Sequence, residues 1–475
     1  MTRLPSRRRK SNLPRIGLVV GAAIAVGLAS LFLLALPLLA PSAVRQSPYV
    51  TEFTLPTPSS EPVGIAVDAE GTVWVGLAKA KRLLSYSPGT QTFREFAIPT
   101  DAPSTMIWDV AVDPQGRIWF PSFEDNAIWR FDPGSAQFRQ YPIPTAAAQP
   151  IAVAVAPDGA VWFTELRGAK LGRIPPGQDS VEEFVVPTAN VFLGDLFLAA
   201  DGTVWFTEIA TSDIAQNGVG HFDPRTQAFT KFRAGETLLS PTGLVLVNGG
   251  IWFAEHGGSL VSKLDPESGR VTRYATSPSA VNPTSLPYWL ALDAAGDLWF
   301  NEHTANRLAR FDPVSETLVE YEVPTRGRDT ILNILQFAVA PTGEVWFTEL
   351  TENRIGVVDP RVPVPFRVEV SPRTLQLDQG AEARTIVVVN GQSNRTLQLQ
   401  ASGSFTGSGR LLNVTVSFEP REFAGLTGAL EAVLTLRLPP SLGPGDYTLT
   451  VGATDGFVSR SIVIRLRVDA LSPAS

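Results

Sequence analysis

Seven tryptophans constrain this chain more than any other feature. Trp74, Trp119, Trp162, Trp205, Trp252, Trp299 and Trp346 recur at intervals of 45, 43, 43, 47, 47 and 47 residues, and a period near 45 is what a β-propeller repeats once per blade. Around each Trp the same four short segments return, clearest in the sixth repeat as PYWLALD (287–293), DLWFNEH (297–303), RLARFDP (307–313) and TLVEYEVPT (317–325). Such runs, rich in β-branched and aromatic residues and bounded by Gly, Asp, Asn or Pro, read as strands; they are labelled A to D below. Pairs such as Asp158-Gly159 and Ala295-Gly296 supply positive φ to the A–B turn, and Asp132-Pro133 and Asp312-Pro313 open the C–D turn. The seventh repeat lacks a D strand, running from Asp359-Pro360 into RVPVPFRVEV, whereas YVTEFTLPT (49–57) has the D pattern of REFAIPT (94–100). The two ends are expected to pair and close seven four-stranded blades within residues 45–363.

From residue 364 the Trp period stops and period-two runs take over: RTIVVV, RTLQLQA, LNVTVSFEP, AVLTLRL, DYTLTVGA and SIVIRLRV. This alternation predicts a β-sandwich over 364–470. It resembles the Ig-like modules appended to extracellular bacterial and archaeal proteins, through SFEP (417–420) and PGDYTLTVGATDG (444–456). Asn394-Arg395-Thr396 and Asn413-Val414-Thr415 fit the glycosylation acceptor pattern, which also arises by chance. The expected fold class is all-β: a seven-bladed propeller, then an Ig-like sandwich, behind an N-terminal transmembrane helix.

That helix is read from residues 16–44, which carry no charge and are long enough to span a hydrocarbon layer of about 30 Å. Residues 1–15 hold Arg3, Arg7, Arg8, Arg9, Lys10 and Arg15 and no acid, so this segment is expected to stay cytoplasmic and the rest to lie outside. A cleaved signal peptide, with secretion, is the alternative; Ala40 and Ala43 suit it and Pro41 does not. After residue 15 the chain has 33 basic against 46 acidic side chains, which argues against nucleic acid as a partner. The expected partners are the membrane, through the helix, and a small-molecule or surface-polymer ligand on the propeller face.

Chemistry on that face is restricted by what the chain lacks. There is no Cys and there are only three His, so thiolate sites, a cysteine nucleophile and a polyhistidine metal cage are excluded. The D–A and B–C loops share one face of the disk, because the start of A lies beside the end of B. There the third residue after Trp is Glu in five repeats: Glu165, Glu208, Glu255, Glu302 and Glu349. A residue repeated five times more simply has a repeated structural job than five catalytic ones. His256 and His303 depart from the repeat in adjacent blades, so they carry more information, whereas His221 stands where other repeats have Arg130 or Arg310. The candidate catalytic set is His303, Glu302 and Tyr288, and the candidate ligand-binding set is His256, Glu255, Trp289 and Trp108, with no metal ligands assigned. The repeated Trp-Phe pairs are expected to pack between blades. Trp108, Trp129 and Trp289 lie outside the repeat and suit a ligand surface better.

The units PVGIAVDAEGTVW, VWFTEL, ENRIGVVDP and FREFAIPT resemble the blades of the streptogramin B lyases, the virginiamycin B lyase family. The resemblance implies a seven-bladed propeller that opens a cyclic depsipeptide by magnesium-assisted elimination, and Mg²⁺ enters as a possible cofactor only through it. Carried over by position, the family's Tyr at the start of the first A strand falls on Val63 and its His in the sixth on Tyr288. Its Glu and His in the seventh A strand fall on Asn333 and Leu335, and its further Glu falls on Leu350. None is retained, and Val and Leu neither take a proton nor bind Mg²⁺. The sequence therefore points first to a membrane-anchored, extracytoplasmic propeller that binds a ligand or partner. A lyase acting on a cyclic ester or peptide-like substrate through a relocated Glu/His set is the alternative. Gluconolactonase-like hydrolysis, which needs a central calcium, is the third.

Overall fold

The computed structural model describes residues 46–233, 237–278, 284–325, 334–403 and 414–470. The expected segments 1–15 and 16–44 lie outside it, as do Asn333 and Asn413. Among the described residues no helix is long and apolar enough to cross a membrane.

Among the described residues the four segments of each repeat form an antiparallel sheet in the order A-B-C-D, and seven such sheets follow one another. The sixth, for example, runs Pro287–Leu292, Leu298–Glu302, Arg307–Asp312 and Thr317–Glu322. The glycines expected in the A–B turns take positive φ, as at Gly159 (87°) and Gly296 (86°), where an L side chain would be strained. The seventh sheet takes its D strand from the N-terminus: Val50–Thr54 pairs antiparallel with Arg354–Val358, Val50 opposite Val358. The ends of the ring are thus locked by strand pairing over about 300 residues of separation.

The repeated aromatics explain how the sheets hold one another. Trp74 of the first sheet meets Phe131 of the second at 5.8 Å between ring centres, Trp252 of the fifth meets Phe311 of the sixth at 5.7 Å, and Trp346 of the seventh meets Tyr86 of the first at 5.6 Å. These pairs are buried, and aromatic contacts of this kind add to the area they bury. The following Phe packs inward: the ring of Phe163 lies over Gly172 of the neighbouring C strand, where a Cβ would approach it to 2.0 Å. Phe206 over Gly220 and Phe347 over Gly356 repeat the arrangement.

The A strands surround a central channel of about 460 Å³. In six sheets the A–B register shifts at the same place, as between Pro287 and Leu290 or Ile334 and Phe337. A bulge re-aims side chains, and the channel wall accordingly carries Asp195, Trp289 and Gln336 from these turns, with Asp109 from the second sheet.

Beyond residue 364 two sheets face each other across an apolar layer. One has Phe366–Ser371, Glu382–Ser393, Leu426–Arg437 and Thr415–Glu419 as neighbours in that order; the other is built on Val458–Asp469, Gly445–Thr454 and Leu397–Gly403. The burial of Phe366–Ser371 alternates residue by residue, as the period-two pattern requires. One feature was not expected. Val458–Asp469 also pairs antiparallel with Thr317–Glu322, the outer strand of the sixth sheet, from Thr317 opposite Ile462 to Tyr321 opposite Val458. The buried hydroxyls of Thr448 and Thr450 donate to the carbonyls of Arg273 and Ala275 in the fifth sheet, and Arg465 bonds Glu316. A single sheet therefore runs from the ring into the C-terminal part.

Candidate functional site

The register places the start of A opposite the end of B: Pro241 faces Glu255 and Pro287 faces Glu302. His256 and His303, each one residue past its B strand, therefore emerge on the face where the next A strand begins. His256 opens a short 3-10 turn, His256–Gly258. Three of the candidate residues converge there. The His256 and His303 rings are 5.0 Å apart between centres and tilted by 68°, and Tyr288 stands 5.3 Å from His256 and 6.0 Å from His303. His256 Nδ1 donates to the carbonyl of Pro287 at 3.3 Å, which ties the fifth sheet's B–C turn to the sixth sheet's A strand.

Burial sets the chemistry of the three. His303 is 2% exposed, and neither of its ring nitrogens has a hydrogen-bond partner among the described residues. Desolvation, with His256 beside it, pushes His303 well below the usual imidazole range. Burial lowers His256 to about 4, against the opposing effect of its hydrogen bond to the Pro287 carbonyl. The Tyr288 phenol is pushed up by burial and by Asp195. At neutral pH the site presents two uncharged imidazoles and a protonated phenol.

The carboxylates of the candidate sets are placed elsewhere. Glu255 is fully buried and accepts four hydrogen bonds: from Arg273 Nε (2.6 Å) and the Ser262 hydroxyl (2.6 Å) on Oε1, and from Leu239 N (2.6 Å) and Arg273 Nη2 (3.2 Å) on Oε2. Its lone pairs are filled, so it has none left for a ligand. Glu302 points into its own sheet, 3.9 Å from Arg307, which also lies 3.8 Å from Glu320 and 2.5 Å from Glu322. Burial and then Glu320 raise Glu302 well above the carboxylate range, and it makes no hydrogen bond to His303. Among the remaining repeats Lys231 Nζ sits 2.6 Å from Glu208, whereas Lys170 and Arg354, the strand partners of Glu165 and Glu349, form their ion pairs with Glu183 and Glu52.

Glu165 carries a pH signature. Burial, then Glu183, raises it to about 8 against the pull of Lys170. The unfolded carboxyl ionises near 4.5, so the folded state binds more protons between these values and stability falls as pH rises from about 4.5 to 8. Glu165→Gln is expected to remove that slope, raising the thermal midpoint at pH 8.5 while changing it little at pH 4.5.

The tryptophans divide. Trp289 is 5% exposed, lines the channel and lies 5.3 Å from Tyr288; Trp108 is half-buried beside an apolar cluster. Trp129 is buried in the second sheet with its indole donating to Asp125, so it offers no ligand surface. His221 packs against Trp205 in the fourth sheet, with ring centres 4.6 Å apart and planes tilted by 53°.

Three features are not visible in the sequence pattern of the repeats alone. Asn126, Asn306 and Asn353, each at positive φ before a C strand, donate to two D–A loop carbonyls or hold that loop through backbone N–H groups, as Asn306 Nδ2 does to Val323 and Thr325. Asp109 and Asp195 bond the next A strand through Val153 N and Leu244 N; burial raises Asp109 to about 7 and, together with Asp109, raises Asp195 further. These two also depart from the repeat, a signal available in the sequence. The third feature is where the resembled family's positions lie. Val63, Leu335 and Leu350 come together with Ala78 in one buried apolar cluster, flanked by Met106 and Trp108. They converge as a shared site would, and they are hydrocarbon throughout. These residues do not fit Mg²⁺, which takes oxygen ligands, and among the described residues no group of three or more His, Asp or Glu is placed to hold a metal.

Sheets of four antiparallel strands around a channel, with polar side chains gathered on one loop face, define a β-propeller. Residues 43–261 match the model of the virginiamycin B lyase family, and that stretch ends before Tyr288, His303, Leu335 and Leu350. A streptogramin B lyase structure superposes with a TM-score of 0.56 at 24% identity, covering 66% of this chain and 97% of that one. Virginiamycin B lyase from Staphylococcus aureus superposes with a TM-score of 0.56 at 22% identity, covering 65% and 99%. A catalytically inactive variant of the Staphylococcus aureus enzyme with quinupristin superposes at 0.55 and 22%, covering 65% and 98%. No curated protein matches the sequence.

Proposed function

We propose that this chain is a membrane-anchored, extracytoplasmic β-propeller of seven blades with an Ig-like module, and that it binds a small-molecule or surface-polymer ligand on its loop face without turning it over. The observation that carries the reading is the replacement of the lyases' polar positions by the packed cluster of Val63, Leu335 and Leu350. Hydrocarbon there supplies neither a base nor a metal ligand for elimination. His256, Tyr288 and His303 form a convergent polar group, the kind of contact that orients a ligand against apolar walls. The acidic external body and the uncharged segment 16–44 support the location.

A second reading is favoured by one observation: Tyr288, onto which the resemblance carries the family's His, packs against the two imidazoles His256 and His303, so a relocated lyase would draw its base from this group. Incubation with quinupristin, the ligand of the Staphylococcus aureus enzyme, separates the two. With Mg²⁺ present, the full-length protein is expected to leave the macrocycle intact by mass spectrometry. Ring opening that disappears in His303→Ala would establish the relocated lyase instead.

A further inference from the structure

We propose that His256 and His303 form a binding site for one divalent transition ion of the zinc, cobalt or nickel class, its remaining coordination positions open to water or to a bound ligand. The site goes beyond the ligand-binding reading, because it stands whether a ligand is held, turned over or neither.

The ring geometry is the first support. An ion about 2.0–2.1 Å from each coordinating nitrogen lies about 3.2 Å from each ring centre, so two imidazoles sharing it at a tetrahedral angle have centres about 5.2 Å apart. The two rings are 5.0 Å apart.

The hydrogen bonding is the second. A metal-bound His almost always donates its other ring N–H to a carbonyl or carboxylate, which fixes the tautomer. His256 Nδ1 donates to the Pro287 carbonyl and leaves Nε2 as the ligand atom. His303 is buried with both nitrogens unpartnered among the described residues. A polar group buried without a partner in a folded protein calls for a reason. A metal bond would partner one of the two nitrogens, while the supporting hydrogen bond at the other ring nitrogen is seen in His256 alone among the described residues. Imidazole selects zinc, nickel or copper over magnesium, whose ligands are oxygens.

The composition makes the proposal easy to test, since the chain has no Cys and one other His, His221. Untagged full-length protein, stripped of metal with chelator, is titrated with Zn²⁺ in competition with a chromophoric chelator. One ion per chain is expected, with binding weakened about tenfold or more in His256→Ala and in His303→Ala and unchanged in His221→Ala. Histidine-selective ¹⁵N spectra of the wild-type protein provide a readout independent of variant folding: the ring signals of His256 and His303 are expected to shift with Zn²⁺ while that of His221 stays. No bound ion, equal loss in His221→Ala, or ring signals that do not move would each overturn the site.

Discussion

Arg273→Ala is expected to destabilise the protein by about 3–5 kcal/mol, the cost of leaving a buried carboxylate without its cation. Arg273 is 4% exposed and forks onto both oxygens of Glu255, while its Nη2 also donates to the carbonyl of Thr237. Removing it strands a charge in a place water does not reach. Arg273→Lys is expected to recover only part of the loss, because an ammonium cannot reproduce two parallel hydrogen bonds. Arg273→Met combined with Glu255→Gln should lie closer to wild type than Arg273→Ala alone, since no net charge is then buried. Thermal or denaturant midpoints of the four proteins measure the series. A loss below about 1 kcal/mol for Arg273→Ala, within the range of exposed ion pairs, would show that Glu255 reaches solvent and is available to a ligand.

Glu255 also shows what the sequence could and could not convey. The strands, their turns and the closure by Val50–Thr54 were legible because they rest on local signals: a Trp every 45 residues or so, glycines where φ must be positive, and a missing D pattern at one end matched by a spare one at the other. His256 and His303 stood out because they break the repeat, and they are neighbours in space. The fate of the repeated Glu was harder to see. Lys170, Arg307 and Arg354 follow their Glu by five residues, but the partners of Glu208 and Glu255 come from the D strand, at Lys231 and Arg273. No spacing along the chain reveals a partner that arrives through sheet register. The same holds for Val458–Asp469 against Thr317–Glu322: two outer strands about 140 residues apart pair through backbone groups, which leave no mark on side-chain pattern. Position-by-position comparison with the lyases marked Val63, Leu335 and Leu350 as replaced. That they pack against one another required the folded ring.

That cluster carries the central claim, that the polar site of the resembled family has here become packing. Leu350 is 6% exposed and is the residue onto which the resemblance carries a Glu of the lyases. Leu350→Glu is expected to cost on the order of 3 kcal/mol at neutral pH, since an ionisable group enters hydrocarbon with no partner provided. Leu350→Met, similar in volume and apolar, should cost less than about 1.5 kcal/mol. The loss in Leu350→Glu should shrink as pH falls, because burial raises the carboxyl pKa and the neutral acid is cheaper to bury. The most direct measurement is therefore the thermal midpoint of full-length Leu350→Glu beside Leu350→Met at pH 5 and pH 8, with and without Mg²⁺. The account requires a clear drop for Glu, larger at pH 8 and unaffected by Mg²⁺. A midpoint for Leu350→Glu equal to wild type at pH 8, or one that Mg²⁺ raises, would mean that the face is still a polar, metal-accepting site and would contradict it.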